Sequence, residues 1–129
     1  MNPLNEIATP ALAYLGDCVL ELRVREHLVA EGLSKSAHLN EAALGFVRAS
    51  AQATAVKRIL PLLDEEETRV FLRGRNSSHI HVPKSATVED YRAATGMEVL
   101  FGYLHLAERH ARIDELFRAA YPAVQSKTK

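Results

Sequence analysis

Two acids stand where acids are costly. Asp17 lies within residues 11–22 and Glu98 within residues 97–106, segments in which nearly every other position is apolar. A helix apolar around most of its circumference belongs in an interior. A carboxylate there must find a cation, a cluster of donors or an opening to solvent, or else give up its charge. Glycines flank both acids, Gly16 beside Asp17 and Gly96 and Gly102 around Glu98. Glycine inside a helix costs about 1 kcal/mol against alanine, which points to close approach of another backbone. If these two helices pack together, Asp17 meets Glu98, and two carboxylates at close range remain ionised only with a cation between them. Hard oxygen donors without imidazole or thiolate suit Mg²⁺, with Mn²⁺ as a substitute. Such a site facing a basic surface is equipment for phosphodiester hydrolysis. Glu21, one turn after Asp17, and Thr95, one turn before Glu98, share their faces and are candidates to support the pair.

A basic surface is available. Between Thr68 and Val88 the chain carries Arg69, Arg73, Arg75, Lys84, His79 and His81 and no acid. This stretch reads either as a solvated loop or as a phosphate-binding surface. The two histidines alone make a weak zinc signal, with no cysteine or third histidine nearby.

The elements that would position these residues are helical. Thr9-Pro10 opens a first helix running to about Gly32. An alanine-rich second helix spans about 36–59 and ends at Pro61. Asp64 with Glu67 forms a capping-box pattern for a short helix reaching Gly74. The interval 75–86 has no period and reads as a loop. Thr87 with Asp90 starts a fourth helix to about Leu106, and 112–120 is a last amphipathic one. With no strand period, repeat or glycine-rich nucleotide motif, the expected class is all-α.

Composition sets the frame. A chain of 129 residues with 47% hydrophobic and 25% charged content is expected to form one ordinary globular domain. Its 16 basic and 16 acidic residues cancel, so any nucleic acid must be attracted by a local patch. No apolar run reaches the ~18 residues of a membrane span, and the expected location is cytoplasmic. Cys18 is expected as a small buried thiol.

At the two acids the sequence resembles a known family. Tyr14-Leu15-Gly16-Asp17 followed by Val19-Leu20-Glu21-Leu22 is similar to the ribonuclease III signature, and Glu98-Val99-Leu100-Phe101-Gly102 resembles the setting of its second acid. Arg73-Gly74-Arg75-Asn76, His81-Val82-Pro83-Lys84 and Tyr91-Arg92 resemble more narrowly the Mini-ribonuclease III branch, which consists of the catalytic domain alone. Larger family members carry two more glutamates before the first acid and an aspartate before the second. Pro10, Ala13 and Thr95 stand there, so the resemblance implies fewer protein ligands and more coordination by water or RNA.

The resemblance implies the ribonuclease III endonuclease-domain helical fold over residues 1–122, and the segment 123–129, ending in Ser-Lys-Thr-Lys, is expected to be a disordered tail. It further implies a homodimer that cuts double-stranded RNA with Asp17 and Glu98 as catalytic and metal-binding groups. The products would be 5′-phosphate and 3′-hydroxyl ends, and the substrate the base-paired stalk of the 23S (large-subunit) ribosomal RNA precursor. Arg73, Arg75, Asn76, His81 and Lys84 become candidate RNA-binding residues. Two other readings of the residues stay open: a catalytically silent helical domain that binds structured RNA or ribosomal precursors, and a helical interaction protein with exposed acids.

Overall fold

The architecture is set by one long apolar helix around which the others are laid. In the computed structural model, which describes residues 4–77, 84 and 86–125, this helix is α5, Val88–Leu106. It is capped by the Thr87 hydroxyl, which accepts from the Asp90 amide at 3.1 Å. Before it come α1 (Thr9–Ala30), α2 (Ser36–Val47), α3 (Ala49–Ile59) and α4 (Glu65–Arg75); after it come α6 (His110–Ala120) and the single turn α7 (Pro122–Gln125). Among the described residues there is no strand, as the all-α expectation requires.

α5 packs against α1, α3, α4 and α6, which explains why both of its faces are apolar. Met97, Val99, Leu100, Phe101 and Leu104 are fully buried in the main core. Glycines let two of these crossings come almost to backbone contact. A Cβ on Gly102 would lie 2.2 Å from the Leu12 carbonyl oxygen of α1, and one on Gly96 would lie 2.6 Å from the Phe71 ring of α4. The close approach anticipated beside the acids is therefore present at α1 and α5.

The capping box of α4 forms as expected: Asp64 accepts from the Glu67 amide at 2.8 Å, and Glu67 accepts from the Asp64 amide at 3.0 Å. Glu67 has a second task. Its carboxylate is withdrawn from solvent and gripped by Arg112 of α6, at 2.8 Å from both Nε and Nη2. The Arg112 hydrogen bonds hold its pKa below the usual range, so the pair secures α6 to α4 above that range and releases it in acid.

Several expectations are corrected. The single helix over 36–59 is two, because Arg48 takes an extended backbone, φ −66° and ψ 152°. An unbroken 24-residue helix would run about 36 Å in one direction; the break lets α2 lie on α1 while α3 turns towards α5 and α6. Cys18 is exposed rather than buried. Tyr14, Leu22 and Val29 are exposed with it, so α1 is apolar on a side this chain does not cover. The disordered tail does not begin at 123: residues 122–125 form α7, and Val124 packs into the core. Among the described residues no helix is long and apolar enough to cross a membrane.

Candidate active site

The α1/α5 crossing determines where the two acids go. With Gly16 seated against the Glu98 backbone, the next residue of α1, Asp17, is carried to the side of Glu98. Both acids line one open cleft of about 790 Å³ whose walls include Arg48 and Gln52 of α2/α3 and Tyr91 and Thr95 of α5.

The two carboxyls lie close enough for each to act on the other's ionisation. Asp17 is exposed at the cleft rather than enclosed in the interior; what burial it has raises its pKa, the Glu21 charge adds to this, and the neighbouring Glu98 carboxyl opposes it. Glu98 is pushed up to about 8, first by burial and then by the Asp17 charge. Glu98 thus keeps its proton at neutral pH in the cation-free chain.

This arrangement gives a testable pH dependence. The folded, cation-free chain keeps a proton that the unfolded chain releases above the ordinary glutamate range. Stability should therefore fall as pH rises from about 4.5 to about 8. The Glu67 contribution is lost on the acid side of that window and does not interfere. Urea midpoints in EDTA are expected to be lower at about pH 8 than at about pH 5.5, and Glu98→Gln should flatten the difference. Equal dependence in parent and variant would contradict the proton held by Glu98.

The supporting candidates are placed differently. Thr95 lines the cleft but its hydroxyl donates to the Tyr91 carbonyl of its own helix at 3.0 Å. Glu21 lies outside the cleft lining and accepts from Arg25 at 3.2 Å. It reaches Asp17 only through its charge.

The expected RNA-binding residues divide. Arg73 is half-buried and committed to the start of α1, donating to the Thr9 hydroxyl at 2.8 Å and to the Ile7 carbonyl. Arg75, Asn76 and Lys84 are exposed, with Arg75 donating to the Asn76 side chain at 3.1 Å. His81 lies outside the described residues, as does His79. Arg92 donates to the carbonyls of Arg75 and Ser77, both at 3.2 Å, and so fixes the start of the basic segment to α5.

Two cleft residues escaped the sequence reading. Arg48 is the cation among the described residues of the lining, and Gln52 is a buried amide beside Glu98. Both sit in an alanine-rich stretch whose only legible signal was helix propensity.

The donor chemistry fits a hard divalent cation. The half-buried Glu98 carboxyl, whose ionisation is opposed, and the exposed Asp17 carboxyl beside it offer oxygen ligands, and among the described residues no histidine or cysteine lines the cleft. Among the described residues no group of three or more such ligands forms, so water or substrate would complete the coordination.

Comparison with known proteins finds relatives over nearly the whole chain. Residues 10–109 match the Ribonuclease III domain. A Mini-ribonuclease 3 from Brevibacillus brevis is 42% identical over 127 residues, covering 98% of this chain and 90% of its own. One from Symbiobacterium thermophilum is 43% identical, covering 92% and 91%. A crystal structure of a protein from Fusobacterium nucleatum matches with a TM-score of 0.83 at 29% identity, over 91% of this chain and 95% of that one. The chain belongs to the ribonuclease III family, among the Mini-ribonuclease 3 proteins, and is an endoribonuclease.

Proposed function

We propose that the chain hydrolyses double-stranded RNA at the Asp17–Glu98 pair with Mg²⁺ as its native cation. Its natural substrate is the base-paired stalk of the 23S ribosomal RNA precursor, met in the cytoplasm. The observation that carries the chemistry is the meeting of two carboxyls of raised pKa, Glu98 half-buried and Asp17 exposed, on one open cleft. A divalent cation bound by Asp17 and Glu98 would supply a Lewis acid for the phosphoryl group and lower the pKa of the attacking water.

In the reaction water adds to phosphorus and the bond from phosphorus to the 3′ oxygen breaks. A 5′-phosphate and a 3′-hydroxyl result, the water proton going to the leaving oxygen. A silent site would gain nothing from two acids in this position, since burial disfavours their charge. The test is cleavage of an RNA duplex in Mg²⁺ and its loss in EDTA. Duplex binding without cleavage would reduce the protein to a binding module.

Duplex RNA is read through phosphates and 2′-hydroxyls. With zero net charge, the chain must provide that contact locally. Arg75 and Lys84, exposed in the acid-free segment, are assigned to it together with Asn76 and His81. Arg73 is reserved for the fold by its bonds to Thr9 and Ile7. Changing Arg75 and Lys84 to alanine is expected to weaken duplex binding and reduce its log–log salt slope by about one to two, with the melting temperature unchanged. Binding at the parent's affinity and slope would make this segment an ordinary solvated loop.

The uncovered side of α1 points to a second copy. Tyr14, 85% exposed, with Cys18, Leu22 and Val29, presents an apolar stripe at helical spacing. A twofold pairing through α1 would cover it and supply two cleavage centres for two strands. Light scattering at micromolar protein should report a dimer. A monomer with full activity would end that proposal.

A further inference from the structure

Among the described residues two polar side chains are fully withdrawn from solvent, Glu67 and Gln52. Arg112 accounts for Glu67. Nothing accounts for Gln52, which is 1% exposed and whose Nε2 has no hydrogen-bond partner among the described residues. A buried donor left in this state is unfavourable. The neighbouring buried positions of α3, Ala53, Ala55, Val56 and Ile59, are all apolar, so packing alone does not call for an amide here. What distinguishes the position is its location, for Gln52 lines the same cleft as Asp17 and Glu98. Its amide stands near enough to the Glu98 carboxyl to favour the ionised acid, yet outside hydrogen-bond geometry with it.

We infer that Gln52 is a positioning residue for the reaction, its amide holding the Glu98 carboxylate beside Asp17 in the orientation that binds the cation. The inference rests on the reading of the carboxyl pair as the cation site. It explains why a costly donor is kept at the bottom of the cleft: its partner is the carboxylate, and the bond closes when cation binding settles both acids. Partners of this kind orient metal-binding groups, and their loss lowers metal affinity by about ten- to a hundredfold.

Gln52→Met keeps the length of the side chain and removes both donors. The probe is Mn²⁺ alone, its binding followed by electron paramagnetic resonance, with duplex binding in EDTA and thermal melting measured beside it. The expected result is Mn²⁺ affinity lowered by about tenfold or more, with duplex binding unchanged and a melting temperature at or above the parent's. Parent-like Mn²⁺ affinity in Gln52→Met overturns the inference, and so does a large fall in melting temperature with affinity intact. Should that variant not fold, Gln52→Asn, which keeps the amide but draws it back, decides in the same way: weakened Mn²⁺ binding supports the role and parent-like binding refutes it. Glu98→Gln is the control. If it too binds Mn²⁺ like the parent, the fault lies with the carboxyl pair as cation site rather than with Gln52.

Discussion

Asp17→Asn is expected to lower duplex cleavage by on the order of a thousandfold while leaving the cation-free chain at least as stable as the parent, and Glu98→Gln should do the same. The substitutions preserve shape and remove one of the two charges available to hold a cation. Loss of such charge stabilisation is worth several kcal/mol in the transition state, and each 1.36 kcal/mol is a factor of ten in rate. The stability result follows from the same geometry. The Asp17 charge opposes ionisation of Glu98, and burial raises the pKa of both, so neutralising either relieves the fold. An acid serving a structural ion pair would behave in the opposite way, since its loss strands a buried partner and costs about 3–5 kcal/mol. Single-turnover cleavage in Mg²⁺ and thermal melts in EDTA separate these accounts. A variant that cuts at the parent's rate, or that unfolds, removes Asp17 from the mechanism.

Gly16→Ala should be the most damaging change that removes no polar side chain. The added Cβ would lie 1.6 Å from the Glu98 carbonyl oxygen and 2.9 Å from the Gly102 amide nitrogen. Both are helix backbone, which cannot turn aside as a side chain can. Overpacking of this severity costs about 3 kcal/mol or more, outweighing the ~1 kcal/mol by which alanine favours a helix. Activity should fall further than stability explains, because parting the helices draws Asp17 away from Glu98 and a misplacement of about 1 Å can cost a hundredfold in rate. Gly45→Ala in α2 is the matched control, with nothing within 4 Å of its added Cβ, and should melt at or above the parent's temperature. A Gly16→Ala protein as stable and active as the parent would contradict the close crossing on which the site depends.

The sequence was most readable where a single residue type had a single physical use. Glycine beside each acid announced the α1/α5 contact, and the Asp64/Glu67 spacing announced the start of α4. It was least readable where a long-range partner decides the role. Arg73 belongs to an acid-free basic stretch, and only the fold shows that its bonds reach Thr9 and Ile7. The break at Arg48 carries no proline or glycine of its own and arises because α2 and α3 answer to different neighbours. Cys18 and Tyr14 looked interior since apolar residues surround them in sequence, whereas the structure leaves their side of α1 open. Gln52 was hidden for a related reason: an amide in an alanine-rich helix has no signature until its lack of a partner is seen.

The central claim is that Asp17 and Glu98 together hold a divalent cation. A ligand that binds only the folded chain stabilises it by about 2.7 kcal/mol at a concentration a hundred times its Kd. The most direct measurement is therefore the melting temperature of the parent, Asp17→Asn and Glu98→Gln with and without Mg²⁺, in the absence of RNA. The parent should melt several degrees higher in saturating Mg²⁺ and neither variant should respond. A parent indifferent to Mg²⁺, or a variant that shifts as the parent does, would contradict the account.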